Sequence, residues 1–505
     1  MTTNRRDFIR YVVAGSVAAG CPVDLSMLHA QTQDGPKIEG ESNTICHQVR
    51  DGKVFSRPAA SAKRDVVIVG GGVSGLSAAY FLRNLDFVIL EKEPHWGGNA
   101  YAMEYDGSLY GTGTAFMLSD EDEAMGLVKE IGLEILPTKI ADSTIVNGQW
   151  VGSCWGDGID KLPYPASVRE AFKKFRKEMI AIDLDKRTQE LFNQPFSDLL
   201  KGYPEELTSW WDCYGTSTYG ANCADAAAGI GVSEAQDVMR ESQDDDRYTF
   251  PGGLAAIPRK IAEILGAQAP ERLQTGATTI AVVPGKEDVQ VTYLQGAELK
   301  TVSAKTVIVA APKFITRRIV EGLPEKQSEA MGKIRYVPYA VVNLIFDKPV
   351  YNRSFDTWCP GTSFTDIVVA DWVLQKNKPD YKQKHNILTF YTPLLEEERA
   401  YLLTDAGTKK VGAKVLRDFQ KALAEFNVDP VEVHIYRRGH PMYMTTPGLY
   451  TEVQPLARAP MDRVFFANTD SEGPESTTNE AIVAAQRAVK QVQARLAGKV
   501  VPVSR

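Results

Sequence analysis

Cysteine and histidine are scarce in this chain of 505 residues, which contains six of each. The cysteines form no C-x-x-C pair and stand at no metal-like spacing from histidine, so the sequence predicts no metal site. Cys46-His47 lacks the second cysteine of a c-type haem motif. Internal repeats and low-complexity tracts are also missing, which argues against a solenoid or a disordered chain.

A hydrophobic run long enough to cross a membrane is missing as well. The apolar stretch Tyr11–Ala19 is too short for a stable span, but it follows the pair Arg5-Arg6. This combination is typical of a twin-arginine export signal, which predicts a leader over residues 1–30 and a periplasmic or outer-face location. Ala18-Ala19-Gly20-Cys21 is similar to a lipobox, and lipidation of Cys21 with anchoring to the membrane stays open.

The chain also has no excess of basic residues, with 57 lysines and arginines against 64 acidic residues. The formal net charge is −7, which argues against a nucleic-acid partner and is compatible with a cationic substrate. Without the leader roughly 470 residues remain, enough for two domains that share an interface.

The strongest positive signal lies between Val66 and Glu91. Val66–Val69 is a β-branched run typical of a strand buried on both faces. Gly70, Gly72 and Gly75 follow in G-x-G-x-x-G spacing, then an apolar helix and a second strand that ends at Glu91. This order predicts a dinucleotide site, with the pyrophosphate at the helix N-terminus and a ribose hydroxyl on Glu91.

The residues after Glu91 resemble those of the flavin-containing amine oxidase superfamily. Gly97-Gly98 match the glycine pair of its second motif, and Asn99 replaces the arginine that the family carries there. A second match is Asp462–Asp470, similar to the family's D-R-(apolar)-(aromatic)-F-A-G segment, with Asn468 in place of glycine. Two motifs near opposite ends of the chain therefore point to one cofactor, FAD.

The resemblance implies an α/β fold in which an FAD-binding Rossmann-like domain carries a second, α+β substrate domain. The expected division is a twin-arginine signal over 1–30 and a linker or arm over 31–63. The FAD-binding domain is expected over 64–105, 245–333 and 455–497, and the substrate domain over 106–244 and 334–454.

The predicted FAD-binding residues combine the two motifs with three further segments. Glycine-bearing residues 110–116 resemble the segment that runs under the flavin ring, Pro312 ends a strand close to it, and a helix over 479–495 points its N-terminus at the cofactor. The full set is Gly70, Gly72, Val73, Ser74, Gly75, Glu91, Lys92, Gly97, Gly98, Asn99, Gly113, Thr114, Ala115, Pro312, Asn468, Asp470, Thr478 and Asn479.

His440 and Tyr443 are the predicted catalytic residues, because their segment approaches the flavin in relatives. The alternative for His440 is a histidine that satisfies loop carbonyls. Trp372 and Tyr391 are weaker candidates for a substrate cage. The pair Trp210-Trp211 is interpreted as helix core rather than cage, and the acid run Asp244–Asp246 as a solvated loop rather than a polyamine attractor.

Two departures from the family bear on the reaction. Val341 stands where amine oxidases carry a lysine that holds a water at flavin N5, and Thr477 replaces one aromatic cage residue. The resemblance implies hydride transfer from an amine carbon to flavin N5, with a polyamine favoured and a quinone, a cytochrome or oxygen as electron acceptor. A C–C desaturase or isomerase of the carotenoid-desaturase type and a non-catalytic flavoprotein remain as alternatives.

Overall fold

The computed structural model describes residues 35–239 and 247–501, and within these ranges the chain forms two large sheets with helices packed on them. In chain order the strands are β1 (Lys37–Gly40), β2 (Ala62–Val69), β3 (Phe87–Leu90), β4 (Ala102–Tyr105), β5 (Ser108–Gly111), β6 (Met117–Leu118), β7 (Leu136–Pro137), β8 (Ser143–Val146), β9 (Gln149–Gly152), β10 (Arg247–Thr249), β11 (Leu273–Gln274), β12 (Ala277–Pro284), β13 (Val289–Gln295), β14 (Glu298–Val309), β15 (Tyr336–Phe346), β16 (Asp356–Trp358), β17 (Asp366–Val369), β18 (Asn386–Pro393), β19 (Glu432–Tyr443) and β20 (Val464–Phe466).

The α-helices are α1 (Thr44–Arg50), α2 (Val73–Phe81), α3 (Asp122–Glu130), α4 (Ala166–Ile180), α5 (Leu184–Leu191), α6 (Glu205–Thr218), α7 (Ala228–Met239), α8 (Ala256–Gln268), α9 (Lys313–Ile319), α10 (Glu325–Lys333), α11 (Trp372–Asn377), α12 (Asp405–Ala422), α13 (Gln454–Ala457) and α14 (Thr478–Leu496). None of those described is both long enough and apolar enough to cross a bilayer. The predicted export leader lies outside the described residues.

The first sheet, called the nucleotide sheet, has the order β11-β3-β2-β14-β13-β12, with β20 beside β14. Its centre is parallel, because β2 pairs in parallel with both β3 and β14. Val66 and Ile68 contact the core under α2, α8 and α14, while Val67 and Val69 contact the core on the other face. A strand buried on both faces is therefore confirmed for Val66–Val69, as an apolar run in a parallel sheet requires.

The second sheet, called the substrate sheet, has the order β1-β19-β15-β18-β17-β16-β8-β9. Every residue of β15 is buried, so this strand forms the middle of the sheet. Residues directly opposite each other in antiparallel strands place their side chains on one face. In one such row Tyr436, Val341, Tyr391, Asp366 and Trp358 lie side by side across five strands.

Helices α4, α6 and α7 share a hydrophobic core with strands of the substrate sheet. Trp210 and Trp211 are 1% and 0% exposed there. Trp155 contacts Trp210 with ring centroids 4.8 Å apart, and Phe172 stacks on Trp155. The interpretation of both tryptophans as helix core is confirmed, since the aromatic side chains fill the space between the helices.

The predicted linker over residues 31–63 differs from what the structure shows. Lys37–Gly40 pairs in parallel with His434–Arg437 as an edge strand, and Thr44–Arg50 forms a short helix. Ile38 is the one apolar residue of β1, so the segment carries too little hydrophobic pattern to predict a strand from sequence. The segment is a strand because its backbone pairs with β19, and its side chains give no sign of this.

Candidate functional site

The turn between β2 and α2 is built for a close approach by another group. Gly70 has φ +104°, and a Cβ on Gly75 would lie 1.8 Å from the carbonyl oxygen of Gly70, so both positions require glycine. A Cβ on Gly72 would meet nothing closer than the Cα of Gly98, at 3.8 Å. Gly72 is also the N-cap of α2 and offers no side chain to the first turn. The N–H groups of that turn therefore remain available to an anion.

Glu91 ties the turn to the end of β3. Its carboxylate accepts the backbone N–H of Gly71 at 2.5 Å and that of Glu93 at 2.8 Å. The side chain is buried, and burial raises its pKa. Beside it Lys92 pairs with Glu93, which also accepts the backbone N–H of Ser42 at 2.8 Å. The segment before β2 therefore closes the outer wall of this site.

A cavity of about 340 Å³ opens above the turn and is called the cofactor cavity. Its lining includes thirteen of the predicted FAD-binding residues: Gly70, Gly72, Val73, Ser74, Glu91, Lys92, Gly97, Gly98, Asn99, Thr114, Pro312, Asn468 and Thr478. The hydroxyls of Thr114 and Thr478 are buried and have no hydrogen-bond partner among the described residues. A glycine cradle at one helix start and unpaired hydroxyls near another fit a dinucleotide with a polar ring system.

Five predicted residues have other positions. Gly75 lies beneath the turn, and Gly113 and Ala115 line the neighbouring cavity described below. Asn479 accepts the backbone N–H of Ala124 at 3.0 Å and so joins α14 to α3. Asp470 lines neither cavity, because its carboxylate accepts the ammonium of Lys313 at 2.7 Å and the hydroxyl of Tyr336 at 2.6 Å.

The two predicted catalytic residues are placed differently from each other. His440 lines the cofactor cavity with its ring centroid 4.4 Å from that of Phe314. Burial, reinforced by Arg399, lowers the pKa of His440 to about 3, so its imidazole is neutral at physiological pH. Tyr443 lines neither cavity, because its hydroxyl donates to the carbonyl oxygen of Glu475 at 2.5 Å. The structure thus gives Tyr443 a role in holding the loop before α14 rather than a position facing a reactant.

A second cavity of about 250 Å³, called the substrate cavity, adjoins the first. The two cavities share six lining residues: Asn99, Thr114, Arg438, Ser476, Thr477 and Thr478. Its aromatic wall includes Tyr391, whose hydroxyl donates to the carbonyl oxygen of Gly113, together with Tyr339 and Trp358. Trp372, the other cage candidate, instead donates its indole N–H to the carbonyl oxygen of Thr138 at 2.8 Å.

Six carboxyl groups are part of the polar lining of the substrate cavity. They belong to Glu121, Glu234, Asp237, Asp356, Asp366 and Glu475. Burial raises the pKa of Asp366 to about 7, although its carboxylate accepts the hydroxyls of Ser217 at 2.8 Å and Thr365 at 2.6 Å. Burial likewise raises the pKa of Glu121 to about 7. The cavity therefore holds a dense set of acids that a cation would stabilise in their charged form.

Two arginines also line this cavity. Arg247 is engaged in a double hydrogen bond with Asp142, with one of the two contacts at 2.5 Å, and both side chains are buried. Arg438 lies at the junction of the cavities, where it donates to the carbonyl oxygen of Thr112 and stacks over the ring of Tyr436 at 4.2 Å. Arg247 is thus largely neutralised by its partner, whereas Arg438 keeps a buried positive charge where the two cavities meet.

Sequence reasoning missed these acids and Arg438. Glu234, Asp356, Asp366 and Glu475 come from segments far apart along the chain. No motif connects them, and only the packing of the substrate sheet, α7 and the loop before α14 brings them together. The position of Arg438 three residues after the buried Ile435 carries no signal that distinguishes it from an ordinary strand residue.

Comparison with known proteins is consistent with this geometry. The profile of a family described as flavin-containing amine oxidoreductase matches residues 73–493. Oxidoreductase PigB of Serratia sp. is 24% identical over 88% of this chain and 77% of its own. Flavin-containing amine oxidase A of Equus caballus is 24% identical over 85% of this chain and 84% of its own. A solved putrescine oxidase variant superposes with a TM-score of 0.68 at 19% identity, covering 86% of this chain and 99% of that one.

Proposed function

The chain belongs to the family of flavin-containing amine oxidoreductases, and from this premise we propose that it is an FAD-dependent dehydrogenase or oxidase of cationic, polyamine-type amines. Its fold is the two-domain amine oxidase fold, and its cofactor is FAD. One similar solved structure is that of wild-type putrescine oxidase bound to putrescine, a diamine, which agrees with the proposed substrate class.

One observation carries the proposal: a cavity whose lining includes six carboxyl groups adjoins the cofactor cavity and shares six lining residues with it. Carboxylates near each other are costly in a buried site unless a cation balances them. An alkylammonium supplies that balance and is drawn from solvent to the acid-lined wall. The net acidic charge of the chain favours the same kind of substrate.

The residues of this chain have three tasks in the proposed reaction. FAD, when bound, supplies the two-electron acceptor. The carboxyl groups bind the ammonium, Tyr391 and Trp358 exclude water, and the shared lining at Thr477 and Thr478 holds the donor carbon at the junction. Deprotonating an alkylammonium at pH 7 costs about 4–5 kcal/mol; removing it from water lowers that cost and a carboxylate beside it raises that cost. In the proposed reaction a carboxylate of the lining accepts this proton before the hydride leaves the donor carbon.

A second candidate is a C–C desaturase or isomerase that acts on an apolar molecule. It is favoured by Val341 and Thr477, which line the substrate cavity where amine oxidases carry a lysine and an aromatic residue. A flavoprotein without small-molecule turnover is the third alternative.

Anaerobic reduction of the enzyme-bound FAD distinguishes these candidates. The absorbance near about 450 nm is followed while polyamines, monoamines, amino acids and polyenes are added in turn. Bleaching by a polyamine supports the proposal, bleaching by polyenes alone supports the desaturase, and no bleaching by any of them supports the third alternative.

We also propose that the protein is exported to the periplasm by the twin-arginine route. The support is the Arg5-Arg6 leader followed by the apolar Tyr11–Ala19. Conservative replacement of both arginines by lysine is expected to retain the protein in the cytoplasm. Labelling with a radioactive fatty acid, compared between the wild type and Cys21→Ser, then tests whether Cys21 anchors it to the membrane.

A further inference from the structure

The acids of the substrate cavity fall into two pairs in different elements. The carboxyl groups of Glu234 of α7 and Glu475 interact closely enough to share one proton, and Tyr214 donates its hydroxyl to Glu234 at 2.5 Å. Asp356 and Asp366 lie on the neighbouring strands β16 and β17 and interact electrostatically with each other. The first pair is called the proximal pair because it lies next to the junction of the two cavities. The second is called the distal pair because it lies at the far end of the substrate cavity.

The position of the proximal pair relates it to the cofactor. Glu475 immediately precedes Ser476 and Thr477, which line both cavities. Glu121 and Asp237 also interact with Glu475. This end of the substrate cavity, next to the junction, is therefore the more acidic one.

The position of the distal pair follows from the row across the substrate sheet. Tyr436 in this row lines the cofactor cavity, whereas Val341, Tyr391, Asp366 and Trp358 line the substrate cavity. Neighbouring strands are about 4.8 Å apart, so Asp366 lies about 10 Å from Val341 and about 14 Å from Tyr436. Asp356 is two residues before Trp358 on the same face of β16. The distal pair is therefore at the far end of the cavity from the cofactor.

Two buried polar atoms at the distal end have no partner among the described residues: Oδ1 of Asp356 and the indole nitrogen of Trp358. These side chains are 3% and 2% exposed, and both line the cavity. The nearest cation, Arg247, has both terminal nitrogens engaged by Asp142. A buried carboxylate oxygen without a donor is costly, so Asp356 is satisfied only by a ligand that donates hydrogen bonds, whereas the indole N–H, itself a donor, gains no partner from such a ligand.

We propose that the distal pair, Asp356 and Asp366, binds the far ammonium of a linear diamine or polyamine while the proximal pair, Glu234 and Glu475, binds the ammonium nearer the junction. The inference rests on the proposed function and assigns its substrate class to four residues. The carboxylate oxygens of Asp356 and Asp366 accept the hydrogen bonds of the far ammonium, and the rings of Tyr391 and Trp358 contact the methylene chain. A monoamine of equal length leaves the distal pair empty.

The test compares 1,4-diaminobutane and spermidine with n-butylamine in anaerobic reduction of the FAD-loaded enzyme. In the wild type the diamine is expected to reduce the flavin at a far lower concentration than the monoamine. Asp366→Asn and Asp356→Asn keep the shape and remove one charge each. We expect each to weaken the apparent affinity for the diamine and for spermidine roughly 10- to 100-fold, and that for n-butylamine by a clearly smaller factor.

The matched control is Asp371→Asn, a buried carboxylate outside the cavity that accepts the hydroxyl of Tyr381 at 2.9 Å. It is expected to leave the preference for the diamine unchanged. Bound FAD content verifies folding of each variant. If Asp366→Asn does not fold, Ser217→Ala takes its place, because it removes one hydrogen bond to the same carboxylate. It is expected to weaken the affinity for the diamine by a smaller factor than Asp366→Asn would.

Isothermal titration of the oxidised holoenzyme with 1,4-diaminobutane separates the inference from the proposed function. Binding that weakens in the distal variants supports the distal pair, whether or not any amine bleaches the flavin. If no amine bleaches the flavin, the proposed function is refuted, but the inference about the distal pair is not. Equal affinity for diamine and monoamine in the wild type, or distal variants indistinguishable from Asp371→Asn, would overturn the inference while amine oxidation stands.

Discussion

The ammonium of Lys313 lies 2.7 Å from Oδ1 of Asp470, and these side chains are 0% and 1% exposed. The second carboxylate oxygen accepts the hydroxyl of Tyr336 at 2.6 Å and the backbone N–H of Lys313 at 2.8 Å. Lys313 directly follows Pro312, and Asp470 stands two residues after Asn468; Pro312 and Asn468 line the cofactor cavity. The ion pair therefore fixes two cavity walls relative to each other from behind.

Lys313→Met is expected to destabilise the protein, because it leaves the carboxylate of Asp470 buried and unpaired. Breaking one partner of such a pair costs about 3–5 kcal/mol. The urea midpoint and the bound FAD content should both fall. Lys173→Met is the control, since Lys173 and Asp160 form an exposed pair expected to contribute less than about 1 kcal/mol. Equal midpoints for the two variants would refute the structural role of the Lys313–Asp470 pair.

The FAD-binding half was predictable because its signals are contiguous in sequence. The turn at Gly70–Gly75, the acid Glu91 and the segment ending at Asp470 each require particular residues at fixed spacing. Asp470 shows the limit of such reasoning. The motif predicted a polar residue near the cofactor, but the sequence does not indicate that a lysine 157 positions earlier would bind its carboxylate.

The substrate cavity was not predictable in the same way. Asp356 and Asp366 each begin a short strand, and each alone is typical of an edge or a turn. Their proximity depends on strand register, which long-range pairing determines. The position of Arg438 at the junction of the cavities could not be predicted from the sequence either, because the backbone carbonyl groups that it contacts lie more than three hundred residues away along the chain.

Gly72→Ala tests the anion site without disturbing the fold of the FAD-free protein. The added Cβ would meet no atom closer than 3.8 Å, so we expect normal expression and an unchanged far-UV spectrum. It would, however, fill the space in which the pyrophosphate approaches the first turn of α2. FAD affinity is expected to fall roughly tenfold or more, measured by fluorescence titration of the FAD-free protein.

The control for Gly72→Ala is Gly266→Ala in α8, where nothing lies within 4 Å of the added methyl group. Alanine is a better helix former, so this change is expected to be neutral or slightly stabilising, with full FAD binding. Retention of full FAD affinity by Gly72→Ala would place the dinucleotide elsewhere.

The apolar side chain of Val341 bears on the electron acceptor. Val341 is 2% exposed and lines the substrate cavity at the position where the family resemblance implies a lysine. We expect the reduced enzyme to be reoxidised by air roughly 100-fold more slowly than by a soluble quinone, measured by stopped flow. Val341→Lys is expected to bring the rate of reoxidation by air closer to the rate with quinone. Val341→Met, which adds a side chain of similar length without a charge, is expected to leave the difference between the two rates unchanged. Oxidase-like rates in the wild type would exclude a dehydrogenase.

Diamine binding should depend on pH in a direction that the buried acids determine. Burial raises the pKa of Asp366 to about 7, against an ordinary value of 3.8, and that of Glu121 also to about 7. Between pH 4 and 7 the folded protein therefore binds more protons than the unfolded chain, so stability without ligand should fall as pH rises through this window. A diamine binds the ionised acids, and below pH 7 it must displace their protons.

The affinity for 1,4-diaminobutane should accordingly rise with pH from about 5 to about 8, by up to tenfold per unit for each proton displaced. It should then stay level until the amine itself loses protons near pH 10. Asp366→Asn removes one titrating acid, which interacts with Asp356 and Asp142. The slope of affinity against pH should therefore be shallower in this variant, while the part due to Glu121 persists. Calorimetry in two buffers of different ionisation enthalpy counts the released protons directly. An affinity independent of pH from 5 to 8 would show that the acids are already ionised in the empty cavity.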